Sequence, residues 1–331
     1  MNYIGSKFKL SQFLLTSIDK AAGGAKNKII CDIFAGTGAV GRAFKRDAKK
    51  IIANDVEYYS YVLNKNYIGN HTEMDYFKLL NDLNYLPGKR GFIFQNYCAG
   101  GGTGRQYFSD ENGRRIDAIR QKIEEWRSSN EIGEGMYYFL LTSLLEAADA
   151  VANTASVYGA YLKHLKKTAQ KDMWLYSADY VINEMEHEVH NKDANELIGE
   201  IEGDILYMDP PYNHRQYGAN YHMLNTIALY DEFKPVGKTG LRAYERSRWC
   251  AKNEVTNVFN DLVEKARFNY IFLSYNNEGL MSLNEVRKIM QKYGSYELIE
   301  QPYQRFKADK TANRNHKATS TMEYLHVLEK S

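Results

Sequence analysis

The chain has 331 residues, 44% of them hydrophobic and 25% charged, which is enough to bury either one large domain or a core carrying one sizeable insertion. Its 43 basic and 41 acidic residues leave a net charge of only +2, so a polyanionic partner has to be met by local patches rather than by the overall field. Cys31, Cys98 and Cys250 are odd in number and form no C-x-x-C pattern, which argues against a disulfide framework or a zinc knuckle. The opening "MNYIGSKFKL" has no apolar leader core, and no unbroken apolar run reaches about 18 residues. Neither export nor membrane insertion is expected, and the expected compartment is the cytoplasm.

In chain order, "KIICDIF" from Lys28 is a β-branched apolar run that predicts a buried strand. The following "AGTGAVGRAF" predicts a glycine-rich turn opening a helix. A second strand, "KKIIAND", ends at Asp55 and leads into a helix over "VEYYSYVLNKNYI". Two strand-helix units in succession imply parallel strands and an α/β sheet. The alternation stops from about Glu73 to Tyr176, where "GRRIDAIRQKIEEWRSS" reads as a charged amphipathic helix and "MYYFLLTSLLEAADAVAN" as a more apolar one. Within the latter, Tyr137, Tyr138 and Phe139 are expected in the core. The sheet pattern resumes with "EHEVHN", "DILYMD", a helix across "NYHMLNTIALYDEF", the strand "YIFLSYN" and the helix "LNEVRKIMQKY". The closing strands "SYELIEQ" and "EYLHVLE" are expected to pair as an antiparallel hairpin. The whole reads as one α/β domain carrying an inserted, mainly helical module.

Two motifs carry chemistry. Gly36, Gly38 and Gly41 satisfy G-x-G-x-x-G between a strand and a helix, and Asp55 lies 19 positions beyond Gly36. Taken alone, this suits any adenosine-bearing cofactor: a nicotinamide dinucleotide with its pyrophosphate on the helix N-terminus, or S-adenosylmethionine with its zwitterionic tail, whose ammonium Asp32 can accept. It also suits a turn whose glycines serve only close packing. The second motif is "DPPY", Asp209 to Tyr212, straight after an apolar strand and holding two of the five prolines. An adenine or cytosine amino group is a poor nucleophile, because its lone pair is delocalised into the ring. Asp209 supplies one acceptor for its hydrogens, and the Pro210 carbonyl supplies a second, fixed by the locked proline φ. Pro211 confines the residue before it to extended backbone, and Tyr212 offers a flat face for an extruded base. The competing reading is a strand-ending turn with a solvated aspartate.

In this order the motifs resemble the Dam-like, alpha-group adenine-N(6) DNA methyltransferases. "MNYIGSK" is similar to the family's N-terminal cofactor motif, "DIFAGTGAVG" to its glycine-rich motif, "NDVEYYS" to its ribose motif, "NKDANEL" to the segment before the catalytic strand, and "DPPY" to the catalytic motif. The resemblance extends through "FLSYNNEG" and the hairpin around "YQRFKADK", so it covers nearly the whole chain. It implies a Rossmann-like, S-adenosylmethionine-dependent sheet over residues 1–72 and 177–331, with an inserted target-recognition domain over 73–176. It further implies that Tyr3, Ile4, Gly5, Ser6 and Lys7 approach the methionine end of S-adenosyl-L-methionine. Asp32, Phe34, Gly36, Thr37 and Gly38 would line its pocket, Asp55 and Val56 would meet the ribose, and Asp193 the adenine amino group. Asp209, Pro210, Pro211 and Tyr212 would carry the chemistry, with Asp209 also facing the cofactor. No metal is expected, since "HEVH" at His187 to His190 lacks the H-E-x-x-H spacing.

Three basic stretches suit phosphates. Lys163, Lys166 and Lys167 lie in "KHLKKTAQK"; the segment Lys238 to Lys252 has five basic residues against Glu245; Arg305, Lys307, Lys310, Arg314 and Lys317 lie in "RFKADKTANRNHK". Arg105, Gln106, Arg114 and Arg115 are candidate base-edge contacts in the insertion, and Tyr217 and Tyr221 candidate walls of a base pocket or packing residues. The expected activity is methyl transfer to the exocyclic amino group of a flipped adenine in a short duplex sequence, by direct in-line attack without a covalent enzyme intermediate. The resemblance also implies a companion restriction endonuclease and a four- or five-base site such as CATG. The nearest alternative is an RNA adenine methyltransferase on the same core. From other classes, a nicotinamide-dependent oxidoreductase leaves DPPY idle, and a catalytically silent nucleic-acid-binding module leaves the whole catalytic set idle.

Overall fold

A computed structural model describes residues 11–304 and 320–331. In chain order it runs α1 (Ser11–Ala22), β1 (Ile29–Asp32), α2 (Ala39–Phe44), β2 (Lys50–Asn54) and α3 (Tyr58–Asn64), then α4 (Phe77–Asn84), α5 (Phe92–Tyr97), α6 (Asp110–Ser128) and α7 (Glu134–Val151). It continues with β3 (Glu188–His190), α8 (Ala194–Leu197), β4 (Glu202–Met208), α9 (Tyr217–Asn220), α10 (His222–Leu229), α11 (Val255–Lys265), β5 (Arg267–Asn276), α12 (Leu283–Met290), β6 (Gly294–Gln304) and β7 (Ser320–Lys330).

The strands form one seven-stranded sheet in the order β3-β2-β1-β4-β5-β7-β6. The first five are parallel, while β7 runs antiparallel to both β5 and β6. This is the α/β, Rossmann-like arrangement with a closing hairpin expected from the sequence. A parallel strand is covered on both faces, which is why β1 and β2 read as unbroken apolar runs and are buried almost throughout. Phe259 and Leu262 of α11, Val286 and Met290 of α12 and Leu197 of α8 pack with Cys31, Leu206, Met208, Ile271 and Leu273 of the sheet. Strand order reverses between β1 and β4, and the crevice beyond their carboxyl ends is where open α/β sheets place ligands. The register sets Asp32 against Tyr207, two residues before Asp209.

The chain divides into two compact units. One, carrying the sheet, is made of residues 11–64, Asn183–Gln216, 246–304 and 320–331. The other, mainly helical, takes Lys65–Ile182 and also Tyr217–Glu245, a segment that the sequence pattern had grouped with the sheet. The reason lies in its packing. Arg120 of α6 donates to the carbonyls of Ile227 and Ala228, each at 3.1 Å, so α10 belongs with α6 and α7. Helix α7 is apolar nearly all round because it is buried nearly all round, Tyr137, Tyr138 and Phe139 included. Among the described residues, no helix is long and apolar enough to cross a membrane.

Within the helical unit, the buried Asp117 accepts the backbone N–H groups of Gly91, Ile93 and Phe94 at 2.9 Å and the Tyr230 hydroxyl at 2.6 Å. Its carboxylate thereby caps α5 and ties it to the chain leaving α10. Replacing Asp117 by Ala leaves those N–H groups without an acceptor and is expected to cost about 3 kcal/mol. Chemical denaturation followed by circular dichroism measures it.

Candidate active site

The glycine-rich turn is built from backbone requirements. Gly36 and Gly38 have φ of 51° and 73°, the left-handed region that a Cβ disfavours, and Gly38 is the N-cap of α2. Three side chains hold the turn from below. Asp55 Oδ2 accepts the Gly36 N–H at 2.8 Å, while Ser60 Oγ and Asn64 Nδ2 both donate to the Gly36 carbonyl. Asp55 Oδ1 takes the Glu57 N–H at 2.9 Å. The acid at the end of β2 is therefore a structural brace of the turn, a role its ribose-like spacing did not announce. Burial raises the Asp55 carboxyl above its ordinary range, opposed by these N–H donors and the Ser60 hydroxyl. Val56 beside it is 51% exposed.

Asp32 ends β1 and is 2% exposed. Its Oδ1 has no hydrogen-bond partner among the described residues. Burial pushes this carboxyl well above the usual range, and the negative charges of Asp209 and then Asp55 push the same way, while the N–H groups of Gly41 and Phe34 oppose them. An unmet acceptor in such surroundings is unfavourable until a donor or a cation meets it. Phe34, half-buried, lies edge-on to Trp249 with ring centroids 5.0 Å apart. Trp249 Nε1 donates to Asn195 Oδ1 at 3.2 Å, joining the turn after β1 to α8.

Asp209, Pro210, Pro211 and Tyr212 follow directly on β4, with Pro210 buried and the other three partly so. Tyr212 packs against the sheet's core, and its carbonyl accepts the Leu280 N–H at 2.9 Å. Asp193 is the N-cap of α8, its Oδ1 accepting the Asn195 N–H at 2.8 Å. Sequence reasoning passed over Trp249 and gave no role to Asn54, the first residue of "NDVEYYS". The latter donates to the carbonyls of Ile33 and Lys192, both at 3.1 Å, and so fixes the carboxyl ends of β1 and β2 together. Asn54 opens that quoted motif, while the signal for Trp249 was only that tryptophan is scarce here.

The structure thus brings Asp32, Phe34, Gly36, Thr37, Gly38, Asp55 and Asp209 to one edge of one sheet. Tyr3, Ile4, Gly5, Ser6 and Lys7 lie outside the described residues, as do Arg305, Lys307, Lys310, Arg314 and Lys317. His187 Nδ1 accepts the Ile51 N–H at 3.0 Å and His190 lies beside Glu188; among the described residues, no group of His, Cys, Asp or Glu is placed to hold a metal.

The helical unit gives several of the sequence candidates partners within the protein. Arg105 directs its guanidinium to the carbonyls of Asn96, Gly237 and Lys238, because a planar fork of donors matches clustered carbonyls as well as it matches a guanine edge. Arg115 donates to the Asn84 carbonyl, with its Nε buried, and Lys166 Nζ donates to the Thr154 carbonyl at 2.8 Å. Arg114 stacks over the Phe94 ring and pairs with Glu111. Gln106 is half-buried, its carbonyl accepting from Asn153. Tyr221 is fully buried and stacked on Tyr217 at 5.9 Å, so packing is its role. Lys163 and Lys167 are exposed.

Residues 3–289 match the family described as D12 class N6 adenine-specific DNA methyltransferases. The chain belongs to that family. It is 60% identical over 333 residues to the type II methyltransferase M.NlaIII of Neisseria lactamica, covering the whole of both chains. It is 37% identical over 334 residues to the type II methyltransferase M.CviAII of Paramecium bursaria Chlorella virus 1, covering 99% of this chain and 98% of that one. A third relative, the type II methyltransferase M.FokI of Planomicrobium okeanokoites, is 38% identical over all of this chain but only 53% of its own. The enzyme is thus an adenine-specific DNA methyltransferase of the restriction-modification type, and its family implies S-adenosylmethionine as donor.

The raised Asp32 carboxyl has a consequence for stability. A carboxyl raised in the folded state favours folding at low pH, and this contribution is lost as pH rises from the ordinary carboxylate range through the raised value. Asp32→Asn is therefore expected to raise the melting temperature of the cofactor-free enzyme, by more at pH 8 than at pH 5. A thermal melt at the two pH values checks it.

Proposed function

We propose that the enzyme methylates the exocyclic nitrogen of an adenine flipped out of a short duplex sequence, protecting that sequence from a companion restriction endonuclease. The observation that carries the reading is the placement of Asp209 and its two prolines at the end of β4, across the strand-order reversal from the glycine-rich turn. S-adenosylmethionine supplies an electrophilic methyl on a sulfonium, and the site fits it. The Asp32 Oδ1, without a partner among the described residues, suits the ammonium of the donor's tail, the left-handed backbone at Gly36 and Gly38 suits close approach of the donor, and half-buried Phe34 offers apolar surface. Asp55, braced by N–H groups, and exposed Val56 stand where a ribose would lie. Lys7 and the backbone from Tyr3 to Ser6 are proposed at the methionine end, and Asp193 at the donor's adenine.

The chain's own part in the chemistry is orientation and proton handling. Asp209 and the Pro210 carbonyl accept the two hydrogens of the substrate amino group from one side, which draws its lone pair out of conjugation and towards the donor. Pro211 keeps that backbone from relaxing. Asp209 then receives the proton that the nitrogen sheds. Tyr212 stacks on the extruded base, at about 1 to 3 kcal/mol. The amino group is not accessible while the base is stacked in a duplex, so flipping precedes attack.

Asp209→Ala is expected to lower kcat by at least about 100-fold, while calorimetric binding of S-adenosylhomocysteine changes little. Tyr212→Ala should raise the KM for DNA about 10-fold, and it should weaken the fluorescence rise of 2-aminopurine placed at the target position. Sequencing of methylated bases in treated DNA reads the recognition sequence, and structured RNA is expected not to compete with the duplex.

A further inference from the structure

The helical unit contains three chain-distant stretches without a single acid. Residues 99–108, 153–171 and 233–244 hold eight Lys and Arg and no Asp or Glu, in a protein with 41 acidic residues overall. Their backbones are tied to one another by buried or half-buried side chains. Val236 and Leu241 exchange both backbone hydrogen bonds, at 3.0 and 2.8 Å, closing a four-residue turn. Within that turn the carbonyls of Gly237 and Lys238 accept from Arg105 at 3.0 and 3.3 Å, and the Gly240 carbonyl accepts from the Tyr97 hydroxyl at 2.7 Å. Gly240 has φ of 70°, and a Cβ there would sit 2.7 Å from the Tyr97 ring and 2.8 Å from Arg105 Nε, so the close approach itself requires glycine.

The other two stretches are bound in the same manner. Tyr161 donates to the Gly104 carbonyl at 3.2 Å, and the fully buried Asn153 donates to the carbonyls of Gln106 and Leu162, both at 2.9 Å. Among the residues these bonds leave exposed are Thr103 with its flanking glycines, Lys163, Lys167 and Lys238, alongside Lys171 and Lys234 nearer the ends of their stretches. The Lys238 carbonyl is itself committed, and Thr103 and Lys163 lie next to the held carbonyls of Gly104 and Leu162.

We propose that these three loops together form the surface on which the helical unit grips duplex DNA, with Lys163, Lys167 and Lys238 on phosphates and Arg105 as a positioning residue that holds the 236–241 turn in register. The proposal rests on the DNA reading above and extends it to a segment that follows the catalytic motif in the chain rather than the insertion alone. A polyanion is the partner that the charge favours, because the loops themselves carry no acid and the carboxylates that reach them are engaged, Asp110 with the Gly100 N–H and Asp231 with Arg242. A pinned loop also pays little ordering entropy on binding. Arg105 acts through the loop and needs no contact with a base.

The test uses the full-length enzyme and a labelled duplex containing the methylated sequence, with binding followed by fluorescence anisotropy over a range of salt. Lys163→Ala, Lys167→Ala and Lys238→Ala are each expected to flatten the slope of log affinity against log salt by about 0.9, the value of one phosphate contact. Lys122→Ala, a lysine paired with Glu125 on α6, serves as control and should not. Arg105→Lys and Gly240→Ala keep or leave untouched every charge, yet both should raise the KM for DNA and blunt discrimination between cognate and mismatched duplexes, with S-adenosylhomocysteine affinity by calorimetry unaltered. Should Arg105→Lys fail to fold by circular dichroism, Gly240→Ala and the lysine variants still decide. Unchanged slopes in all three lysine variants would overturn the proposal while leaving the activity intact. A wild-type enzyme without salt-dependent duplex binding would remove the DNA reading beneath it.

Discussion

Carboxylates gathered at the carboxyl ends of adjacent parallel strands set the terms for everything else in this enzyme. Asp32, Asp55 and Asp209 end neighbouring strands around the point where strand order reverses; burial raises the first two, and the charges of Asp209 and Asp55 raise Asp32 further. A site of this kind is poorly suited to a pyrophosphate, which would add negative charge. It is well suited to a donor that carries a sulfonium and an ammonium. Of the two cofactors that suit the glycine motif, this charge balance favours the one that the enzyme's family implies. Asp55 meets its share of the burden with backbone N–H groups, while Asp32 has an oxygen without a partner among the described residues.

The same economy governs the backbone. The Gly36 carbonyl is held by Ser60 and Asn64, the ends of β1 and β2 by Asn54, and the turn at Gly237 to Gly240 by Arg105 and Tyr97. In each case a side chain from a distant part of the sequence satisfies a carbonyl that a loop would otherwise expose. Loops held in this way keep their geometry when a ligand arrives, which is what a transfer reaction with a weak nucleophile requires.

Much of this was legible in the sequence, and the reasons are local. The strand before the glycine turn, the strand before DPPY and the closing hairpin are short apolar runs bounded by glycine, proline or polar residues, so period and punctuation suffice to find them. Helices α1 and α11 escaped notice. So did the allegiance of Tyr217–Glu245, because nothing in its periodicity says which unit its apolar face will meet. The partners of the arginines were hidden for a related reason: a guanidinium fork serves carbonyls and bases equally, and only the fold reveals which carbonyls are in reach. Asp55 combined both outcomes, since its spacing marked the correct place and concealed its bracing role.

The central claim is that a rigid carboxylate and carbonyl at the end of β4 hold the amino group of an extruded adenine. A crystal structure of the enzyme with a duplex containing its target and sinefungin, a non-reacting donor analogue, tests it most directly. The account predicts the target adenine outside the helix, its exocyclic nitrogen within about 3 Å of both an Asp209 oxygen and the Pro210 carbonyl. An adenine still stacked in the duplex, or an amino group held by other residues with Asp209 turned away, would contradict it.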